Sequence, residues 1–282
     1  MPTSRHPDPT SSKPPLDNAK RTQPTTSSSA QPPILVLALS GPTSSGKTTL
    51  ATALHEIFPP PHSLTVHADD FYKPDSQIPT KDGVQDWDCA GSLDLERFRD
   101  VLRTIKEGGE APADLVRQGN FEDGVHGVKG IEPEVIERMK REVEAWPEAV
   151  KGRKLVIVDG FLLFGQSIPA PLRDLFDIKF LLRASYEDAK RRRENRNGYV
   201  TLEGFWQDPP GYFDRVVWPN YLEEHGDLFR FGADDPDGPL DEARGSARRI
   251  CFSDPHWGLE RCLEWIVGVM RREIEGLDSG NG

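Results

Sequence analysis

The chain has 282 residues, which is long enough for one large α/β domain with a buried core. Its formal net charge of −11 would repel a polyanion over most of the surface, so we expect no nucleic acid partner. Its three cysteines, Cys89, Cys251 and Cys262, form no CxxC pair, which argues against a disulfide framework and a zinc site. No apolar run approaches the roughly 20 residues that cross a bilayer, which argues against a membrane span.

The first 32 residues consist mostly of Pro, Ser, Thr and charged residues. Such a segment buries too little apolar surface to offset the entropy of ordering, so we predict a disordered tail over residues 1–32 and one folded domain over residues 33–282. The domain begins with a continuous apolar run at residues 34–39. Such a run is typical of a parallel strand that is covered on both faces.

Four shorter apolar runs follow, at residues 64–67, 155–158, 178–182 and 249–252, and stretches with helical spacing separate them. This repeated βαβ pattern predicts an α/β fold with a parallel sheet. The last helix is the clearest, because its apolar residues form one stripe that would pack on the sheet. They are Leu259, Leu263, Ile266, Val267 and Met270.

Two segments look like additions to this α/β core. Residues 106–152 are rich in Glu, Gly and Pro, and Pro133 would stand near the start of a short charged helix over residues 133–146. Residues 231–247 include the string Gly-Ala-Asp-Asp-Pro-Asp-Gly-Pro, which predicts a mobile surface loop. We assign chemistry to neither segment.

A GxxxxGK[ST] motif directly follows the first strand, as Gly-Pro-Thr-Ser-Ser-Gly-Lys-Thr at residues 41–48. In this motif backbone amides and the positive end of the next helix hold phosphate, Lys47 bridges the β- and γ-phosphates, and the Thr48 hydroxyl reaches Mg²⁺. The motif alone does not separate kinases, GTPases and ATPases, but no Asn-Lys-x-Asp string for guanine exists in the chain. The predicted nucleotide contacts of the loop are Gly41, Thr43, Ser44, Ser45, Gly46, Lys47, Thr48 and Thr49.

Carboxylates follow two of the predicted strands, at the edge where an open α/β sheet binds ligands. Asp69 is the predicted general base, which accepts the proton of a substrate hydroxyl and also holds Mg²⁺. Asp70 either shares this role or caps the following turn. Asp159 closes the third strand in the Walker-B manner, and we expect it to orient a water on Mg²⁺.

A basic cluster follows the fourth strand and locally reverses the sign of the net charge. Arg192 and Arg196 would share one face of a helix, from which both can close on the nucleotide phosphates during transfer. Lys190 and Arg191 suit a solvated face instead. We therefore expect at least one of Arg192, Arg193 and Arg196 in the site, because a planar guanidinium pairs well with phosphate oxygens.

Several strings together resemble the nicotinamide riboside kinases, a branch of the uridine-kinase-like P-loop enzymes. Besides the phosphate loop they are Asp-Asp-Phe-Tyr-Lys-Pro at 69–74, Asp-Gly-Phe-Leu-Leu-Phe at 159–164, Tyr-Glu-Asp-Ala-Lys-Arg-Arg-Arg at 186–193, and Pro-Gly-Tyr-Phe-Asp at 210–214 followed by Val-Trp-Pro-Asn-Tyr-Leu at 217–222. The likeness covers about residues 34–105 and 153–275.

This resemblance implies a P-loop NTPase fold of the nucleoside-monophosphate-kinase type. The expected architecture is a parallel five-stranded sheet flanked by helices, with a lid at residues 191–212. The implied reaction transfers the γ-phosphate of ATP, with Mg²⁺, to the ribose 5′-hydroxyl of nicotinamide riboside or of its nicotinic acid analogue, in NAD salvage.

The resemblance also implies roles for single residues. Tyr72 corresponds to an aromatic residue that stacks on the pyridine ring, Trp87 to one that flanks the base, and Asp88 and Arg193 to residues that contact the ribose. The catalytic residues are then Asp69, Lys47 and Arg192, and the metal-binding residues are Thr48, Asp69 and Asp159. Arg192 and Arg196 lie on the nucleotide side. The full set of implied nucleoside contacts is Asp69, Asp70, Phe71, Tyr72, Trp87, Asp88, Arg193 and Tyr199.

Two departures from the family pattern bear on these roles. The family commonly has Glu where Asp159 stands, and the lid is several residues longer than usual, which affects the match of Tyr199 to the family's lid tyrosine. A uridine/cytidine kinase or another small-molecule P-loop kinase stays open as an alternative, as does a regulator that binds nucleotide without catalysis. The sequence fits a monomer or a homodimer, in the reducing cytoplasm or, as an alternative, the nucleus.

Overall fold

The computed structural model describes residues 34–108, 110–113, 115, 128–196, 198–201, 203–230 and 239–279. The predicted tail over residues 1–32 lies outside these ranges. Parts of the 106–152 and 231–247 segments lie outside them as well, so only the end of the expected surface loop is described. No helix in the described ranges combines the length and the apolar composition needed to cross a bilayer.

The central sheet is parallel and has five strands, as predicted. Its strand order is β2-β5-β1-β6-β9, so the first strand of the chain lies in the middle. The remaining strands form two short antiparallel hairpins, β3-β4 and β7-β8. In the described residues the strands are β1 (Ile34–Ser40), β2 (Ser63–His67), β3 (Thr80–Lys81), β4 (Val84–Gln85), β5 (Lys154–Asp159), β6 (Ile178–Leu181), β7 (Tyr199–Val200), β8 (Phe205–Trp206) and β9 (Ile250–Phe252).

Helices cover both faces of this sheet. The described helices are α1 (Lys47–Ile57), α2 (Leu95–Gly108), α3 (Pro133–Glu144), α4 (Glu148–Lys151), α5 (Ala170–Arg173), α6 (Tyr186–Glu194), α7 (Trp218–His225), α8 (Glu242–Ala247) and α9 (Leu259–Ser279). Alternate side chains of β1 point to opposite faces. Leu35, Leu37 and Leu39 pack with α1, α3 and α9, whereas Val36 and Ala38 pack with α2 and α5. Burial on both faces explains the continuous apolar run of the first strand.

The helix expected at residues 133–146 is α3, and Pro133 stands in its first turn, where its missing N–H costs no helical hydrogen bond. Its buried residues Ile136, Met139 and Val143 belong to the same apolar cluster as α1 and α9. Although the sequence makes this segment look like an addition to the core, its helix is therefore packed as part of one helical layer.

The lid expected at residues 191–212 includes the end of α6 and the β7-β8 hairpin. The Thr201 hydroxyl donates to Asp75 Oδ2 at 3.0 Å, which ties the hairpin to the segment after β2. After the hairpin, a π-helical turn at Phe213–Val217 runs directly into α7. The hairpin within the expected lid thus contacts the segment that follows β2.

One buried histidine lies in α7. His225 is fully buried, its Nδ1 lies 3.2 Å from the carbonyl oxygen of Tyr221, and its Nε2 has no hydrogen-bond partner among the described residues. Burial therefore lowers the pKa of His225 to about 4. Protonation of this ring is coupled to unfolding, because the unfolded chain takes up the proton more readily.

We expect this histidine to make the protein less stable in acid. The pKa of His225 is lower in the folded state than its ordinary value of about 6.5. The free energy of unfolding should therefore be largest above pH 6.5 and decline as the pH falls toward 4, by about 3 kcal/mol in total. Urea unfolding of wild type and His225→Gln across this pH range measures the difference. The gap between the two proteins should change with pH, whereas the exposed His256→Gln control should run parallel to wild type; parallel curves for all three would contradict the prediction.

Candidate active site

The phosphate loop connects β1 to α1, as the motif requires. At Gly41 φ is +143°, and a Cβ there would clash with the carbonyl oxygen of Leu182. At Gly46 φ is +95°, and a Cβ would clash with the side chain of Leu259. Both positions demand glycine because the backbone is left-handed and closely packed. The loop leads into Lys47, the first residue of α1, so the positive end of the helix faces the loop.

Lys47 is buried within the loop, and its ammonium group donates to the carbonyl oxygen of Pro42 at 2.7 Å. Burial lowers the pKa of Lys47 to about 8, although the negative charge of Asp159 opposes the shift. The group thus stays mostly charged at neutral pH. The hydroxyls of Ser44 and Ser45 are buried and have no partner among the described residues. Buried donors around an ammonium group suit a phosphate.

Asp159 joins the phosphate loop to the second strand. The Thr48 hydroxyl donates to Asp159 Oδ2 at 2.6 Å, and His67 Nδ1 is hydrogen-bonded to Asp159 Oδ1. The sheet causes this meeting, because His67 and Asp159 are partners in the β2-β5 register. Burial lowers the pKa of His67, but the hydrogen bond and charge of Asp159 outweigh it and raise the pKa overall. The sequence reading missed His67, whose only signal was its place at the end of a strand.

Asp69 and Asp70 lie in a short 3-10 turn, Ala68–Phe71, that follows β2, and their side chains differ in burial. The Asp69 side chain is accessible, whereas Asp70 is buried. The walls of the cleft still strip water from Asp69, and this desolvation, together with the charge of Asp159, raises its pKa to about 6. Lys47 lowers that pKa, as expected of an ammonium group in the same cleft. The turn therefore presents one carboxylate to the cleft.

Arg193 is the centre of a buried ionic network at the root of the lid. It makes a bidentate pair with Asp88, at 2.6 and 2.8 Å, and donates to Asp208 at 2.6 and 3.1 Å and to Thr43 at 3.2 Å. Burial raises the pKa of Asp88 although Arg193 opposes it. The network brings together the predicted residues Thr43, Asp88 and Arg193. Sequence reasoning missed Asp208, whose only signal was an acidic residue within the lid.

Three aromatic rings pack together next to the ionic network. The ring of Trp87 lies 5.5 Å from Tyr72 and 5.8 Å from Trp206 of the lid, between ring centroids. Trp206 also donates its indole N–H to Asp208 at 2.9 Å, so it joins the rings to the ionic network. The ring of Phe71, by contrast, stacks on Phe98 at 4.6 Å inside the core. The structure thus separates Phe71 from the other predicted nucleoside contacts, because its side chain lies on the inner side of its turn.

A cavity of about 330 Å³ opens beside the phosphate loop. Thr49, Arg192, Arg196 and Trp257 are among its lining residues. The two exposed arginines suit phosphate, and the tryptophan offers a face on which a base can stack. Tyr199 accompanies the arginines, since its hydroxyl accepts from Arg196 at 3.2 Å. The lid tyrosine thus lies on the arginine side, and Trp206 is the lid residue whose ring contacts Trp87.

No protein-family model matches the chain. It is 41% identical to a nicotinamide riboside kinase of Schizosaccharomyces pombe over 198 residues, which are 69% of this chain and 80% of that protein. It is 34% identical to a nicotinamide riboside kinase of Saccharomyces cerevisiae over 235 residues, or 83% of this chain and 94% of that protein. With human nicotinamide riboside kinase 2 it shares 33% identity over 188 residues, 66% of each chain.

These similarities agree with the family resemblance predicted from the sequence motifs. The yeast relatives align over most of their own length, so the likeness extends well beyond the phosphate loop. The five-stranded parallel sheet confirms the predicted fold class. The chain belongs to the nicotinamide riboside kinase family.

Proposed function

We propose that this protein transfers the γ-phosphate of ATP to the 5′-hydroxyl of nicotinamide riboside, which gives nicotinamide mononucleotide for NAD salvage. The observation that carries the proposal is that Asp69 and Lys47, a carboxylate and an ammonium group, lie close enough in one cleft for each to shift the pKa of the other. They follow β2 and β1, which lie on either side of β5. A phosphate donor and an acceptor hydroxyl both have a partner there. A protein that only binds nucleotide has no need of the carboxylate.

The residues around Thr48 fit a magnesium ion that travels with the nucleotide. Its hydroxyl and the carboxylates of Asp159 and Asp69 are oxygen donors, which Mg²⁺ prefers. No group of three or more His, Cys, Asp or Glu in the described ranges could hold a metal alone, in keeping with an ion that keeps waters and phosphate oxygens as ligands. When bound, Mg²⁺ neutralises charge on the phosphates. The hydrogen bond from Thr48 to Asp159 holds the hydroxyl in place.

Asp69 would act as the general base in an in-line displacement. The 5′-oxygen forms a bond to the γ-phosphorus, the bond from that phosphorus to the β,γ-bridging oxygen breaks, and ADP leaves with the electron pair. The hydroxyl proton passes to the Asp69 carboxylate and later to solvent. A pKa of about 6 brings this base closer to the operating pH than an ordinary aspartate. Lys47 and the exposed Arg192 would balance charge on the transferred group.

The nucleoside would be recognised at two ends. Asp88 can accept hydrogen bonds from vicinal ribose hydroxyls, and Arg193 holds that carboxylate in position. The rings of Tyr72, Trp87 and Trp206 offer aromatic faces, which attract a cationic pyridinium more than a neutral base. This preference favours nicotinamide riboside over uridine.

Turnover of a nucleoside panel tests the proposal. Purified protein with ATP and Mg²⁺ should phosphorylate nicotinamide riboside far faster than uridine or cytidine, with nicotinic acid riboside as a further member of the panel. Formation of the mononucleotide and ADP can be followed by chromatography. Strong turnover of uridine without turnover of nicotinamide riboside would assign the protein to the pyrimidine nucleosides, and turnover of none would leave a nucleotide-binding role.

We expect Trp87→Ala to weaken nicotinamide riboside more than uridine. Removal of a desolvated ring face costs the cationic ring about 1–2 kcal/mol more than a neutral one, or roughly a tenfold larger rise in KM. Steady-state kinetics with both nucleosides measures the two ratios. Trp257→Ala, in the cavity beside the phosphate loop, serves as the control and should leave the preference between nucleosides unchanged. Equal losses for both nucleosides in Trp87→Ala would make Trp87 a packing residue only.

We also propose the cytoplasm as the place of the reaction and small molecules as the only substrates. The described thiols Cys89, Cys251 and Cys262 are all free, in keeping with a reducing compartment. The net charge of −11 disfavours nucleic acid.

A further inference from the structure

A buried hydrogen-bond network lies behind the turn that carries Trp87 and Asp88. Its centre is Asn220 of α7, only 5% exposed, which faces the equally buried Asp86. The Asn220 amide nitrogen lies 2.9 Å from each carboxylate oxygen of Asp86 and 3.1 Å from the carbonyl oxygen of Asp88. Its oxygen accepts from Lys81 Nζ at 2.6 Å. A lysine can only donate and a carboxylate only accept, so the chemistry of both neighbours agrees with this orientation of the amide.

Further hydrogen bonds hold the backbone of the same turn in place. Asp88 N–H donates to Asp86 Oδ1 at 3.1 Å. The Tyr212 hydroxyl accepts from Trp87 N–H at 3.0 Å and donates to the carbonyl oxygen of Gln85 at 3.2 Å. The backbone is thus anchored before and after Trp87. Of the two anchors, Tyr212 is the last residue of the 191–212 lid, and Asn220 lies in α7, which follows the lid.

The helices before and after the lid hairpin therefore both contact this turn. From α6, before the hairpin, Arg193 pairs with the Asp88 side chain. From α7, after the hairpin, Asn220 binds the Asp86 side chain and the Asp88 backbone. Asp86 accepts from Asn220 of α7 and from the Asp88 N–H of its own turn, and Lys81 of β3 donates in turn to Asn220. A buried carboxylate that loses such donors pays a large desolvation cost, so it will shift or draw in water.

We propose that Asn220 is a positioning residue for nucleoside recognition, which sets the Trp87 and Asp88 side chains through Asp86. The inference rests on the proposed function, since it assumes that this turn receives the nucleoside. Asn220 itself acts at one remove, through the two residues that it binds. Its loss should change the affinity for the nucleoside and leave the phosphate loop, which follows β1 of the central sheet, intact.

Kinetics of Asn220→Ala tests this role. We expect KM for nicotinamide riboside to rise about tenfold, the worth of one or two lost hydrogen bonds to a charged group, while KM for ATP changes less than about threefold. Calorimetric titration of nicotinamide riboside should show a matching loss of affinity. Glu223→Ala, on the exposed side of the same helix, is the matched control and should behave as wild type.

An exchange of partners gives the sharper test. Asn220→Asp alone places two carboxylates side by side and should weaken nicotinamide riboside more than Asn220→Ala does. Adding Asp86→Asn restores one amide–carboxylate pair and gives Lys81 a carboxylate, so the double variant should recover most of the affinity. Equal rises in KM for both substrates, a fall in thermal stability with unchanged kinetics, or no recovery in the double variant would overturn the proposal. Failure of wild type to phosphorylate nicotinamide riboside would instead refute the proposed function.

Discussion

Asp69→Asn is expected to lower kcat at least about a hundredfold, because the substitution removes the proton acceptor while it keeps the size of the side chain. The amide can neither take the hydroxyl proton nor offer the same charge to Mg²⁺. Binding of ATP should persist, since we expect the loop and Lys47 to supply most of the phosphate contacts. Asp69 is exposed in the cleft, so the variant should fold normally.

The measurement separates chemistry from binding. Single-turnover kinetics with nicotinamide riboside gives the rate of transfer, and equilibrium titration with ATP gives the affinity for the donor. Asp82→Asn, an exposed aspartate in the β3-β4 turn with φ +51°, is a matched control, because asparagine suits that backbone as well. A transfer rate for Asp69→Asn within a few-fold of wild type would remove Asp69 from the mechanism.

Arg193→Ala should raise KM for nicotinamide riboside by at least about a hundredfold. The change strands Asp88 and Asp208, two carboxylates that share this guanidinium, and breaking a buried ion pair costs roughly 3–5 kcal/mol. Two unpaired carboxylates at the root of the lid would also repel each other, so the melting temperature should fall. Arg193→Lys should recover only part of the affinity, because a single ammonium cannot reproduce the bidentate geometry.

Arg191 provides the control for this experiment. It lies on the same helix, is exposed and pairs with Asp188, so Arg191→Ala should change neither KM nor the melting temperature noticeably. Asp88, the proposed ribose contact, should behave like the arginine that holds it: Asp88→Asn should raise KM for nicotinamide riboside as Arg193→Ala does. A large rise in KM for ATP with an unchanged KM for the nucleoside would place Arg193 on the donor side instead.

The sheet and the phosphate loop could be predicted because their signals are local. Each strand of the sheet is a short apolar run, and the GxxxxGK[ST] motif fixes both the loop and the start of α1. The neighbouring strand ends then place Asp69 and Asp159 at one edge of the sheet, as the parallel order requires. The packing of α3 was not predicted: its segment looked like an addition to the core. The segment is charged and Gly-rich, and the three buried apolar residues of α3 do not stand out in such a composition.

The remaining site residues could not be predicted, because their partners are far away along the chain. His67 meets Asp159 only through the β2-β5 register, and Asn220 meets Asp86 only once α7 packs beside the turn that follows β4. Neither residue type carries a sequence signal of its own. For Phe71 the family motif suggested a nucleoside contact, but a turn of four residues cannot point every side chain into one cleft.

The strand order also constrains how the protein can be made. Every neighbouring pair in the five-stranded sheet includes β5 or a later strand; Ile34 of β1, for example, pairs with Lys154. Because translation runs from the N-terminus, a growing polypeptide displays the whole phosphate loop on the ribosome before any strand can find its neighbour. The nascent apolar segments therefore stay unpaired until β5 has been made, and they are exposed to aggregation for longer than those of a fold built from adjacent hairpins.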